Sequence, residues 1–163
     1  TKLNGEKKMM SYNLDKSIII RTSWLYSESK NNFVSKILNK INNYENINVV
    51  NDEIGSPTNA IDLSELILTI IPMLKNHKTE IFHFSNLGFC SRYDFSKEIN
   101  KIVNGKSSIN SGNILNTMAI RPKYSVLDST KIINQFDIKI NCWEKSLLDH
   151  LSIVKNKLFT YEI

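Results

Sequence analysis

The segment SIIIRT at residues 17–22 indicates the fold class of the chain. Three successive isoleucines without polar alternation are typical of a strand covered on both faces, as in a parallel α/β sheet. Downstream, apolar residues at helical spacing follow the cap candidates Asn31 and Asn32, and residues 47–51 return to an extended pattern. This succession of strand, helix and strand predicts an α/β fold.

Length and composition favour one soluble folded unit. The chain has 163 residues and a net charge of +5, and its sequence has no apolar run near the roughly 18 residues that span a bilayer. We see no secretory signal pattern, and two cysteines are too few for a disulfide framework, so we expect a cytoplasmic protein. Its 18 lysines are spread along the chain, which favours a solvated surface over a nucleic-acid or membrane partner.

Further elements are predicted from caps, turns and apolar runs. They are a helix at 1–10, a turn-rich loop at 52–58, a helix capped by Asp62, a strand at 80–85, a helix opened by the capping pair Ser91 and Asp94, a flexible polar loop at 101–116, a short helix capped by Ser129 that ends at Phe136, and a helix at 142–159. Alternation of helices and strands again indicates an α/β fold.

The spacing of glycines and histidines excludes several kinds of site. The five glycines are too far apart for G-x-G-x-x-G or a P-loop, so the sequence contains neither phosphate-binding turn. The three histidines lack the spacing of a zinc motif, and we therefore predict no metal ligands.

Five motifs, taken in order along the chain, resemble those of dTDP-4-dehydrorhamnose reductase, a sugar-nucleotide reductase of the extended short-chain dehydrogenase/reductase superfamily. They are TKLNGE (1–6), RTSWLY (21–26), NNF (31–33), VNDEIGSPT (50–58), and RP (121–122) leading to SVLD (125–128). The family pattern is longer, and its cofactor half would precede Thr1. The resemblance implies the C-terminal part of a Rossmann-like three-layer fold with a small α/β substrate-binding subdomain. Residues 1–30 would end the NAD(P)-binding half, and residues 31–163 would form the sugar-nucleotide-binding part.

The resemblance also implies the roles of individual residues. Lys2 matches the catalytic lysine of Y-x-x-x-K, which lowers the pKa of the tyrosine and holds the nicotinamide ribose. Thr22 and Ser23 would contact the cofactor. Trp24, Asn32 and Arg121 would contact the sugar nucleotide. Because the tyrosine would lie four positions before Lys2, upstream of Thr1, we expect this chain alone not to transfer hydride.

The implied ligands are a dTDP-sugar and NADPH or NADH, with Mg²⁺ as a further ion of the full-length family and a homodimer as a candidate assembly. Several alternatives remain open from the residues. Trp24 could be a core tryptophan, Arg121 could form a structural ion pair, and the loop at 51–58 could be a simple connection. Glu53 stands where this family commonly has Gln. A non-catalytic sugar-nucleotide-binding or regulatory protein on the same scaffold is the main alternative function. Strand 17–22 would expose a parallel edge, so we expect an isolated chain to associate.

Overall fold

The computed structural model describes residues 1–74, 78–112 and 122–160, with side chains described up to residue 155. The helices in these ranges are α1 (Lys2–Ser11), α2 (Phe33–Asn42), α3 (Ala60–Ile70), α4 (Arg92–Ile102), α5 (Thr130–Phe136) and α6 (Trp143–Thr160). The strands are β1 (Ile18–Arg21), β2 (Leu25–Tyr26), β3 (Ile47–Val49), β4 (Ile54–Gly55), β5 (Thr58–Asn59), β6 (Glu80–His83), β7 (Cys90–Ser91), β8 (Ile109–Ser111) and β9 (Tyr124–Ser125). The α/β prediction is confirmed.

Short parallel pairs dominate the strand topology. β1 pairs with β6, β2 with β5, and β3 with β8, all in parallel. β4 lies between β7, which is antiparallel to it, and β9, which is parallel. Parallel neighbours need crossover connections, and helices provide several of them here. β1 leads into the motif at residues 21–26, which contains β2, and the motif at residues 50–58 contains β4.

Two hydrophobic clusters hold these elements together. The first packs α2, α4 and α6 around Phe95, which is 1% exposed, with Tyr26 on one side and Trp143 on another. The second packs α3, α5 and β6 around Phe82 and Phe136. Ile18 and Ile20 of β1 lie against this second cluster. The division at residue 30 stays a prediction.

Caps set the starts of two helices as the sequence indicates. The Asn32 side chain accepts a hydrogen bond from the Ser35 amide while the Ser35 hydroxyl accepts one from the Asn32 amide, so α2 opens with a capping box. Ser91 and Asp94 form the same reciprocal arrangement at the start of α4. The second box confirms the predicted pair and puts Arg92 at the first helical position.

One predicted cap is wrong, and another stands at the predicted position without making the cap bond. Asn59, not Asp62, caps α3, because its side-chain oxygen accepts from the Ile61 amide at 3.0 Å. The Ser129 hydroxyl makes no cap bond to α5; instead it accepts from the Ser85 amide at 3.3 Å, while Asp128 accepts from the Thr130 amide. In both places a neighbouring Asn or Asp supplies the local acceptor.

Two predicted segments also differ from the structure. Residues 101–116 are not one loop: α4 continues to Ile102, and β8 pairs with β3. Residues 113–121 lie outside the described part of the chain. The isoleucines of β1 are half-buried and not fully buried, and β6 is the one strand paired with β1 among the described residues.

Candidate sugar-nucleotide site

The predicted site begins at the C-terminal end of β1, where three hydroxyl groups fix the chain. Thr22 Oγ1 donates to Thr58 Oγ1 at 3.1 Å, and Thr58 Oγ1 donates to the Ser23 carbonyl oxygen at 2.7 Å. Ser23 Oγ donates to the Ser56 carbonyl oxygen at 2.7 Å. These bonds use the protons of Thr22 and Ser23 and leave their oxygens able to accept one from a ligand. They also join the RTSW and GSPT segments into one surface.

Trp24 is held in a costly backbone conformation at this point. Its φ is +45°, in the left-handed region that bulky residues avoid, and such strain costs about 1–3 kcal/mol. Its carbonyl oxygen accepts from the Thr58 amide at 3.3 Å, and its side chain is half-buried. Strain of this kind persists where the surroundings determine the conformation, and it is concentrated at functional sites. Its ring also packs against the first hydrophobic cluster, with its centroid 6.5 Å from that of Phe95, and its contact with a sugar nucleotide stays a prediction.

Gly55 allows the indole to approach the backbone closely. A Cβ atom at this position would lie 2.4 Å from Cε2 and 2.6 Å from Nε1 of Trp24. Real side chains do not tolerate such distances, so the space beside Gly55 is occupied by the ring. The absence of a side chain at Gly55 therefore leaves room for the indole of Trp24.

Arg92 is the residue that the sequence reading missed. Its guanidinium carbon lies 3.7 Å from the ring centroid of Trp24 and 4.7 Å from that of Phe33. Its Nε lies 3.6 Å from a carboxylate oxygen of Glu53, and its amide donates to the Glu53 carbonyl oxygen at 3.2 Å. Arg92 thereby touches one residue from each of three motifs. The sequence offered one signal for this residue: arginine is rare in the chain, with three arginines beside 18 lysines.

Asn32 has its side-chain groups engaged within the chain. Its Oδ1 accepts from the Ser35 amide, and its Nδ2 donates to the carbonyl oxygens of Ser27 and Ser29 at 2.8 and 2.6 Å. These bonds fix the loop before α2 and place Phe33 next to Arg92. The structure shows the capping role; the sugar-nucleotide contact stays a prediction.

The loop at 51–58 is a pinned segment with two short strands. The Ile54 amide donates to the Lys123 carbonyl oxygen at 2.8 Å, and the Ser56 hydroxyl donates to the Gly88 carbonyl oxygen at 2.9 Å. Asp52 forms an exposed ion pair with Lys123. The loop is therefore fixed in shape, as a ligand-presenting segment needs to be.

Lys2 lies on α1, which is tied to the site by one residue pair. Arg21 donates to both carboxylate oxygens of Glu6, at 3.0 and 2.6 Å, and this bond lowers the pKa of Glu6. Lys2 is one turn before Glu6 on the same helix face, and Arg21 directly precedes Thr22. Lys2 itself is exposed, and its place beside the cofactor stays a prediction.

A cleft of about 480 Å³ opens beside the pinned loop, within the size range of small-ligand pockets. Its lining includes Asn51, Ile54, Phe89, Cys90 and Tyr93. Burial raises the pKa of the Cys90 thiol to about 12, so this cysteine stays protonated and is not a nucleophile at neutral pH.

A second cleft of about 300 Å³ is distant in sequence from the predicted site residues, and its polar lining includes Asp62, Glu65, Asp137 and Asn141. The carboxylate of Asp62 accepts hydrogen bonds from Asn86 Nδ2 and Ser146 Oγ. Ser146 Oγ also accepts from Asn86 Nδ2 at 2.8 Å. These contacts connect α3, α6 and the chain after β6, which is a structural role.

Two further residues of the quoted motifs are Tyr26 and Arg121. Tyr26 is buried between Phe95 and His150 and belongs to the core. Arg121 lies outside the described residues. Within the ranges described, no group of three His, Cys, Asp or Glu side chains could hold a metal ion. No helix there is both long and apolar enough to cross a bilayer.

Comparison with known proteins gives the context for this arrangement. The chain matches the family described as "RmlD substrate binding domain" over residues 1–156. It is 33% identical over 158 residues to a dTDP-4-dehydrorhamnose reductase from Aggregatibacter actinomycetemcomitans, covering 90% of this chain and 53% of that protein. It is 35% identical over 137 residues to the spore coat polysaccharide biosynthesis protein SpsK of Bacillus subtilis, covering 83% and 47%. The chain thus spans about half the length of the curated relatives it matches.

Solved structures agree with this relationship. A dTDP-4-dehydrorhamnose reductase from Bacillus anthracis, in complex with NADP, superposes with a TM-score of 0.75 at 34% identity, covering 84% of this chain and 48% of that one. A UDP-glucuronic acid 4-epimerase from Bacillus cereus has a TM-score of 0.70 at 14% identity, which shows a shared Rossmann-like fold alone. Fold, motif order and the match over residues 1–156 agree, and the chain belongs to the RmlD substrate-binding domain family.

Proposed function

We propose that this chain is the sugar-nucleotide-binding part of a dTDP-4-dehydrorhamnose reductase. Such an enzyme uses NAD(P)H to reduce the 4-keto group of dTDP-4-dehydro-L-rhamnose in the cytoplasm, and its product supplies surface polysaccharide synthesis. The observation that carries the proposal is Trp24, a bulky residue kept at positive φ at a strand end where open α/β sheets bind ligands. The reductases among the relatives support the choice of substrate.

Trp24 would form a wall for the deoxysugar ring. The guanidinium of Arg92 lies over the indole and Gly55 lies beside its Cε2 and Nε1 atoms, so the part of the half-buried ring that stays exposed would contact the sugar. Asn32 would contribute by fixing the loop that leads to Phe33, and Arg121 would bind diphosphate oxygens bidentately. The fixed loop at 51–58 would present its edge to the nucleotide.

The residues at the end of β1 fit the nicotinamide end of an NAD(P)H molecule. Thr22 is exposed, and the hydroxyl oxygens of Thr22 and Ser23 keep free acceptor capacity for ribose or carboxamide donors. When bound, the cofactor supplies the hydride. Lys2 would hold its ribose and lower the pKa of a tyrosine from the preceding turn. The described residues offer no carboxylate cluster for Mg²⁺. Which nicotinamide cofactor is preferred and whether a homodimer forms both stay predictions.

Titrations and an activity assay on this chain test the proposal. We expect calorimetric titration with dTDP-L-rhamnose to show weak binding, and titration with NADPH to show negligible binding. We also expect no NADPH oxidation with the 4-keto substrate. Binding of UDP-glucose as tight as that of dTDP-L-rhamnose would reject the substrate assignment. Measurable NADPH oxidation by the chain alone would reject the expected inactivity.

A further inference from the structure

The strongest unexplained feature beyond the predicted residues is Arg92. Its side chain is 17% exposed and that of its partner Glu53 is 18% exposed, so both charges are largely removed from water. A charged pair is kept in such a place only when other contacts compensate for lost hydration. Here the compensation comes from the rings of Trp24 and Phe33, whose faces attract a guanidinium.

We propose that Arg92 is a positioning residue that fixes the indole of Trp24 in the sugar-nucleotide site. The identity of the ligand rests on the proposed function, whereas the position of Arg92 against the indole does not. The guanidinium over the ring and the backbone of Gly55 beside it leave the indole few alternative positions. Arg92 acts through Trp24, and the proposal needs no contact between Arg92 and the ligand.

The elements around Arg92 explain how it is held. The Ser91–Asp94 capping box fixes the first turn of α4, and Arg92 stands at its first position. Phe33 stacks on Phe95 of the same helix, with ring centroids 5.9 Å apart and planes 11° apart. Glu53 binds the Arg92 backbone through its carbonyl and faces the guanidinium with its carboxylate. Glu53 therefore contacts both the backbone and the side chain of Arg92.

The indole position is measured directly by fluorescence. The chain has two tryptophans, so a Trp143→Phe background leaves Trp24 as the single emitter. Acrylamide quenching is then compared for Arg92, Arg92→Lys, Arg92→Met and Glu53→Gln, and the affinity of each for dTDP-L-rhamnose is measured. Lys97→Met is the matched control, because it removes a cation from the ring of Tyr93 on the same helix, without an observed contact to Trp24.

Loss of the guanidinium should raise the quenching constant of Trp24 about threefold and weaken dTDP-L-rhamnose binding about three- to tenfold, the range expected for a cation–π contact. Arg92→Lys should recover part of both effects, and Lys97→Met should show neither. If Arg92→Met does not fold, Glu53→Gln keeps the test valid, since it should change both readouts in the same direction.

Distinct outcomes separate the two proposals. Unchanged quenching in Arg92→Met and Glu53→Gln overturns the positioning role, because the indole is then held without Arg92. Lost affinity with unchanged quenching also overturns it, since Arg92 would then contact the ligand itself. Failure of the unsubstituted chain to bind dTDP-L-rhamnose rejects the proposed function, while the quenching series still decides whether Arg92 fixes Trp24.

Discussion

The indole of Trp24 fills the space that a side chain at Gly55 would need: a methyl group on Gly55 would lie 2.4 Å from Cε2 of the indole. Gly55→Ala should therefore displace the ring and lower the free energy of unfolding by roughly 1–3 kcal/mol, as overpacking does. Chemical denaturation measures the loss, and titration with dTDP-L-rhamnose should show weaker binding. Gly112→Ala is the control, because a Cβ there meets nothing within 4 Å. Equal stability of the two variants would show that the indole is not fixed beside Gly55.

The buried His150 should make stability depend on pH. Burial lowers the pKa of His150 from its ordinary 6.5, and its ring lies 5.1 Å from that of buried Tyr26. A depressed pKa means that the unfolded chain binds the proton more readily. Burial of the neutral His150 ring therefore contributes fully to the free energy of unfolding above pH 6.5. This contribution decreases as pH falls through 6.5, by at most about 1.4 kcal/mol per pH unit.

The check compares urea denaturation of the unsubstituted chain and His150→Phe between pH 5 and 8. The variant should lose the pH dependence attributable to this group, although it also alters packing. Parallel stability curves for the two proteins across this range would contradict the assignment.

The Asp62 network should be important for stability and not for ligand binding. Asp62→Ala leaves donors of Asn86 and Ser146 without their acceptor, at a cost of about 1–3 kcal/mol. Thermal denaturation measures the loss. Glu65→Gln, on the exposed side of the same helix α3, should change little. A large loss of dTDP-L-rhamnose affinity in folded Asp62→Ala would instead place this network in the site.

The Glu6–Arg21 pair should control the local opening of α1. None of the residues of α1 is fully buried, so this charge-assisted contact is its principal observed attachment among the described residues. Glu6→Gln should accelerate hydrogen exchange of α1 amides and leave those of β1 and β6 unchanged. Glu98→Gln removes a similar exposed pair from α4, but buried Phe95 and Ile99 should keep that helix protected. Unchanged exchange in α1 would show that other contacts hold the helix.

Local rules predicted much of the fold. The strand at β1, the Asn32 cap and the Ser91–Asp94 box follow from residue type and spacing, and the structure has all three. Asp62 was assigned to the wrong role because a carboxylate near a helix start has the same sequence signature whether it caps the helix or reaches across to Asn86. The strand β8 was missed because its pairing with β3, 62 residues earlier at Ile47, is not encoded locally.

The sequence reached only part of the arrangement around Trp24. The resemblance singled out Trp24, and its role in binding stays a prediction. Arg92 belongs to no quoted motif, and its role depends on three contacts that are 68, 59 and 39 positions away in sequence, to Trp24, Phe33 and Glu53. Only the folded arrangement brings these residues together.

The most direct test of the site is an amide and indole NMR titration of this chain with dTDP-L-rhamnose. We expect the Trp24 indole N–H and the backbone amides of residues 22–24, 51–56 and 58 to shift together, with one dissociation constant. Shifts confined to the cleft that contains Asp62 and Asp137, or no shifts at millimolar ligand, would contradict it.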